Sequence, residues 1–190
     1  MRDAIAGLSR FIVTPDVAKH RLFAWVKPPI VADKNRIVIA REDDTTFGIL
    51  HSRFHELWSL RMGSWTGKGN DPRYTSSTTF AIFSFPSGFI PNISLDDGSN
   101  PGESAIAIAA KNLNGLREAW LNPHEWVDVT PEVVPGYPDR IIPKPEYAKA
   151  IKERTLTNLY NQRPHGSRMC TRRSMRPSPK PTGGMTTRAR

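Results

Sequence analysis

In the first fifty residues, apolar sequence comes only in short runs, each closed by proline, aspartate or asparagine or by a charged pair. Residues 10–14 (RFIVT), 21–26 (RLFAWV), 36–41 (RIVIAR) and 45–50 (TTFGIL) are rich in β-branched and aromatic residues. Such runs are too short for helices and long enough for strands. Pro28-Pro29 and Asp33-Lys34-Asn35 supply turns between them. A helix is expected near 52–62, with Ser52 as N-cap, Gly63 as stop, and Phe54, Leu57, Trp58 and Met62 on one face. The alternating stretch TTFAIFSF (78–85) predicts one more strand, ended by Pro86.

After residue 86 the pattern changes. A linker rich in Pro, Gly, Ser, Asn and Asp leads into the clearest helix, 101–121, with Asn100 as cap, Pro101 in the first turn and Glu103 completing a capping box. Ile106, Leu113 and Trp120 recur at seven-residue spacing with Ala109 and Leu116 between them, which makes an amphipathic stripe. Six prolines in 123–145 imply an extended, surface-hugging connector. A second amphipathic helix is expected over 145–161, with Ala148, Ile151, Leu156 and Leu159 inward. The expected fold class is therefore α+β: a small, incomplete mixed β-sheet with a helix, then two amphipathic helices on a Pro-rich connector and a disordered basic tail. The expected divisions are 1–86, 87–164 and 165–190.

The formal charge of +9 suggests a nucleic-acid partner, but its distribution matters more than its size. Seven basic and no acidic residues lie from His165 onward, so 20 of the 27 basic residues remain in 1–164 to face all 18 acidic ones. Residues 1–75 hold 12 basic against 8 acidic residues, which places the intrinsic positive charge in the N-terminal half. The tail lacks apolar periodicity. A lost base after the codon of Pro164 would explain its change of character, because GC-rich codons chosen for residues 165–184 can spell an amphipathic helix in the other frame; an interrupted alternative frame in the gene would dismiss that idea. A single cysteine, Cys170, excludes an intramolecular disulfide and a four-cysteine zinc site. No apolar run is long enough for a membrane span and the N-terminus does not read as a secretion signal, so a cytoplasmic protein is expected.

The loop after Gly63 carries the most suggestive chemistry. Lys68 and Arg73 can pair with phosphates or guanine edges, Asn70 can bond adenine, Asp71 can accept from cytosine, and Tyr74 can pack or stack. Gly63, Gly67 and Gly69 would let backbone approach a phosphodiester. A plain turn, with Arg73 paired to an acid, fits the same composition. The loop is not a nucleotide-binding phosphate loop, since its glycine spacing is wrong and no Ser or Thr follows Lys68 directly. His51 and His55 stand four apart beside Glu56, but Ser59 occupies the place where a zinc-protease pattern needs its second His. His51, Arg53 and Arg61 are read instead as a polar helix face toward DNA, and Lys19, His20 and Arg21 as a basic cluster, solvated or on phosphate.

Gly67-Lys68-Gly69-Asn70-Asp71-Pro72-Arg73-Tyr74-Thr75 has a consistent setting: RFIVTPDVAKHRLFAWV and FGILHSRFHELWSLRMG before it, TTFAIFSFP, VVPGYPDRIIP and RTLTNLYNQRP after it. Together these resemble the C-terminal part of MmeI-like (type IIL) DNA modification enzymes over roughly residues 8–164. The resemblance implies a DNA target-recognition domain followed by the start of a C-terminal helical domain. In such enzymes an S-adenosylmethionine-dependent adenine methyltransferase lies upstream. Here the glycine-rich cofactor turn and the Asn-Pro-Pro-Tyr motif for a flipped base are both missing, so the resemblance implies no catalytic residue, metal or cofactor in this chain. The implied partner is double-stranded DNA. The expected role is a truncated sequence reader, from a gene whose Met1 is an internal start. The alternatives are a trans-acting specificity module for a separate methyltransferase subunit, or a non-specific basic DNA-binding protein.

Overall fold

The structure is a computed structural model that describes residues 2–66, 71–86 and 101–162. After a short helix α1 (Arg2–Ile5) come strands β1 (Phe11–Pro15), β2 (Ala24–Val26) and β3 (Arg36–Ile39). They form a sheet in the order β2-β1-β3, antiparallel at both joints, with Ile12 facing Trp25 on one side and Ile39 on the other. The fold is α+β as expected. Every ladder among the described residues is antiparallel, so the sheet is not mixed.

Residues 45–50 do not form the expected strand. They belong to helix α2 (Asp44–Leu50), and helix α3 (Arg53–Met62) follows directly. The reason is a cap. The Asp43 carboxylate accepts from Thr46 N at 2.7 Å and Thr46 Oγ1 at 3.0 Å, and Asp44 adds negative charge to the first turn. That cap, with burial of every residue of α2, overrides the β preference of Thr-Thr-Phe. Phe47 and Leu50 join Ile12, Phe23, Ile39, Tyr74 and Ala110 in the core.

The long helix α4 (Pro101–Leu121) lies across α2. Gly48 permits their close approach: a Cβ there would stand 2.7 Å from Ile106 Cγ2 and 3.2 Å from Ala110 Cβ. The buried stripe of α4 is Ala109, Ala110, Leu113 and Arg117, whereas Leu116, expected inward, is exposed. The expected boundary at 86/87 and the cap Asn100 lie at and within stretches outside the described residues.

A two-stranded ladder of β4 (Trp65–Thr66) and β5 (Asp71–Pro72) follows α3. Residues 78–85 then depart from the expected strand. Ser76–Phe80 is a π-helical turn, capped by Thr75, whose hydroxyl accepts from Thr78 N. Trp58 Nε1 donates to the carbonyl of Thr79 at 3.0 Å and fixes the turn against α3. The proline-rich connector is extended as expected, and it pairs with itself: β6 (Val127–Thr130) and β7 (Arg140–Pro143) form an antiparallel hairpin.

The helix expected over 145–161 is broken into a 3-10 turn (Pro145–Tyr147), α5 (Ala148–Glu153) and α6 (Leu156–Gln162). Arg154 leaves the helical path and donates to the Trp120 carbonyl at 2.6 Å, its guanidinium 4.2 Å over the Trp126 ring. Thr155 then starts a new helix by accepting from Asn158 N. No helix among the described residues is long and apolar enough to cross a membrane.

Candidate nucleic-acid interface

The stem of the Gly-rich loop is a short ladder on either side of residues 67–70. Trp65 pairs with Pro72 and Thr66 with Asp71, and Thr66 Oγ1 donates to the Asp71 carbonyl at 3.1 Å. Arg73 grips Asp16 through two bonds of 3.0 Å, and Val17 and Arg73 form an isolated bridge. The ion pair raises the pKa of Arg73 through its bond to Asp16. Gly63 completes the anchor, because a Cβ there would collide with the carbonyl oxygens of Arg73 and Ser59. Its bareness thus serves a protein contact, not the phosphodiester approach expected of it.

Arg21 ties the stem to the sheet. It is 7% exposed and donates to the carbonyls of Pro15, Asp16 and Pro72 and to Thr14 Oγ1, with its guanidinium 4.8 Å over the Tyr74 ring. Burial lowers its pKa to about 10. Tyr74 is fully buried, with its hydroxyl 3.0 Å from His55 Nε2; burial is the main cause that raises its pKa. Arg21 and Tyr74, expected to touch DNA, are therefore spent on the stem and core.

His51 and His55 are also internal, and geometry sets their protonation. His51 Nε2 lies 2.8 Å from Arg117 Nη2 and 3.3 Å from Phe23 N, which are both donors, so it must be a lone pair. Nδ1 then carries the proton, toward the Phe47 carbonyl at 3.0 Å. His55 repeats the arrangement, with Nδ1 2.9 Å from the Leu50 carbonyl and Nε2 accepting from Tyr74. Burial holds the pKa of His51 well below its ordinary value, with Arg117 adding to the effect, and pushes His55 down to about 4. Both rings are occupied by protein, and His51 offers no nitrogen to DNA.

Arg117, which the sequence did not single out, is the centre of this cluster. It is 4% exposed and donates to the Phe23 carbonyl at 2.6 Å, to His51, and to the Tyr160 hydroxyl at 2.8 Å. Its Nε has no hydrogen-bond partner, and none of its partners among the described residues is a carboxylate. The available signal was a lone arginine four residues after Leu113, inside an apolar stripe. Helix α6 closes the other side: Asn161 Oδ1 accepts from Lys19 Nζ at 3.1 Å and from His20 Nε2 at 2.8 Å. Lys19 stays exposed and His20 half-buried.

Two expected contacts are left outward and uncommitted. Arg53 and Arg61 are exposed on α3, with no hydrogen bond or ion pair among the described residues. Asp71 is half-buried in the stem. Lys68 and Asn70 lie outside the described residues, and so does the tail from residue 163. No family model, curated protein or solved structure matches the chain.

Proposed function

We propose that this chain is the sequence-reading part of a site-specific adenine DNA methyltransferase of the MmeI-like kind, acting in restriction–modification or defence in the cytoplasm. Duplex DNA is its partner, and the methyl-transfer chemistry, with S-adenosylmethionine, belongs to sequence beyond these residues. The observation that supports this best is the anchoring of the loop stem. The short ladder Trp65–Thr66/Asp71–Pro72 brackets Gly67–Asn70 and is tied down at several points, by Arg21, by the Arg73–Asp16 pair and by the Gly63 contact. A reader of base edges needs this kind of rigid support, because a contact misplaced by an ångström loses its hydrogen bond. Helix α3 runs straight into the stem, so Arg53 and Arg61 lie on the element next to Lys68 and Asn70 in sequence. Backbone contacts from the arginines would set register, and Lys68 and Asn70 would read bases.

The purified chain is expected to bind duplex DNA and to transfer no methyl group from S-adenosylmethionine on its own; methylated adenine in that reaction would overturn the assignment. Binding should persist when residues 165–190 are removed. The competing basic-tail reading predicts instead a salt slope near −6, about −0.9 for each of seven phosphate contacts, that disappears with the tail.

A further inference from the structure

Helix α3 buries a polar pair and leaves part of its apolar side in solvent. His55 and Ser59 are buried and Trp58 and Leu60 half-buried, while Phe54 is 68% exposed and Leu57 54%. An amphipathic helix normally buries its apolar stripe, and an exposed one marks a surface that another molecule covers. At about 100° per residue, Leu57 points opposite to the His55–Ser59 side, with Arg53 and Arg61 flanking it and Phe54 beside Arg61. At a rise of about 1.5 Å per residue, Arg53 and Arg61 stand about 6 Å below and above Leu57 along the axis.

The charges choose the occupant. Arg53 and Arg61 have no acidic partner among the described residues, so the complementary occupant of the Leu57 spot is one that brings negative charge on both sides of it. A second copy of α3 paired about a two-fold axis would bring Arg53 and Arg61 of the two helices together, a repulsive arrangement. The major groove of duplex DNA meets both demands. It admits a helix, it is lined by phosphates, and its floor presents the C5-methyl of each thymine as an apolar point.

We infer that α3 docks its outward face in the major groove, with Leu57 and Phe54 against thymine methyl groups and Arg53 and Arg61 on the flanking phosphates or guanines. This rests on the DNA-reading function proposed above. It adds that the recognised site contains thymine, read through its methyl group by a helix that precedes the Gly-rich loop.

The test uses the full chain and a duplex that it selects from a randomised library. That duplex is resynthesised with uracil in place of thymine, which removes only the methyl groups. The wild type is expected to bind the thymine form about fourfold or more tightly, the value of one buried methylene-sized group. Leu57→Ala and Phe54→Ala should each narrow that gap, and the double variant should bind both forms with similar affinity. Arg53→Gln and Arg61→Gln should weaken both forms alike and each flatten the salt slope by about 1. These positions are exposed, so the variants should keep the wild-type circular dichroism. Indifference of the wild type to uracil, unchanged discrimination by Leu57→Ala and Phe54→Ala, or arginine variants with wild-type affinity would each overturn the inference and leave the DNA-reading function standing. A chain that selects no duplex would overturn both.

Discussion

Acid should destabilise this fold through its buried histidines. In the folded state His55 is neutral, and its pKa falls from 6.5 to about 4. The unfolded chain takes up that proton near pH 6.5, while the folded chain resists until about pH 4. Stability is therefore fully present above 6.5, declines as pH falls through the window, and reaches its floor near 4. At about 1.4 kcal/mol per pH unit, His55 alone removes about 3 kcal/mol, a large share of a marginal stability. His51, lowered in the same direction, deepens the loss, since its protonation would abolish the bond from Arg117 and set two cations together. Around the two rings stand Arg21, Arg117, Tyr74 and Tyr160, and the nearest acid to Arg21, Asp16, is held by Arg73. Urea unfolding midpoints between pH 7.5 and 4 would measure the effect. His55→Gln should be less stable at pH 7.5 and should lose less on acidification. A wild-type midpoint that is flat across the window, or a slope unchanged in both His51→Gln and His55→Gln, would refute the reasoning. The lowered pKa values of Glu42, bonded to Ser9, and of Glu132, bonded to Arg140, act below 4.5 and do not imitate it.

Arg117→Ala should destabilise by about 2–4 kcal/mol in urea, because it strands the Phe23 carbonyl, His51 and the Tyr160 hydroxyl in the interior. Gly48→Val should cost about 1–3 kcal/mol by forcing α2 and α4 apart, read as a lower thermal midpoint with unchanged secondary structure. Arg73→Ala removes an exposed ion pair and should cost no more than about 1 kcal/mol, yet it should weaken DNA binding by loosening the stem. Gly63→Ala, which meets two backbone carbonyls, should be the more damaging of these two changes in the same unfolding assay.

Local signals in the sequence were legible and global ones were not. Ser52 does accept from His55 N, and Gly63 does end α3, because a cap needs only its neighbours. Helix 101–121 and the four residues of β3 were likewise readable from spacing. TTFGIL misled because β-branched residues favour strands until a cap upstream and a packed surface on all sides decide otherwise. Periodicity placed Phe54, Leu57, Trp58 and Met62 together on α3, and of these only Trp58 is half-buried; spacing could not say that His55 and Ser59 would win the interior. That choice depends on Tyr74 and Phe23, far along the chain, which supply a bond and ring contacts to His55. The same limit explains Arg21: a basic residue beside Lys19 and His20 reads as surface until the carbonyls of Pro15 and Pro72 converge on it.

Selection from a randomised duplex library with the full chain at about 0.15 M salt tests the central claim most directly. The account predicts a defined sequence of a few base pairs, lost when Lys68 and Asn70 are both replaced by Ala. Retention of all sequences alike, through binding that vanishes with rising salt, would contradict it and leave only the charge of the tail.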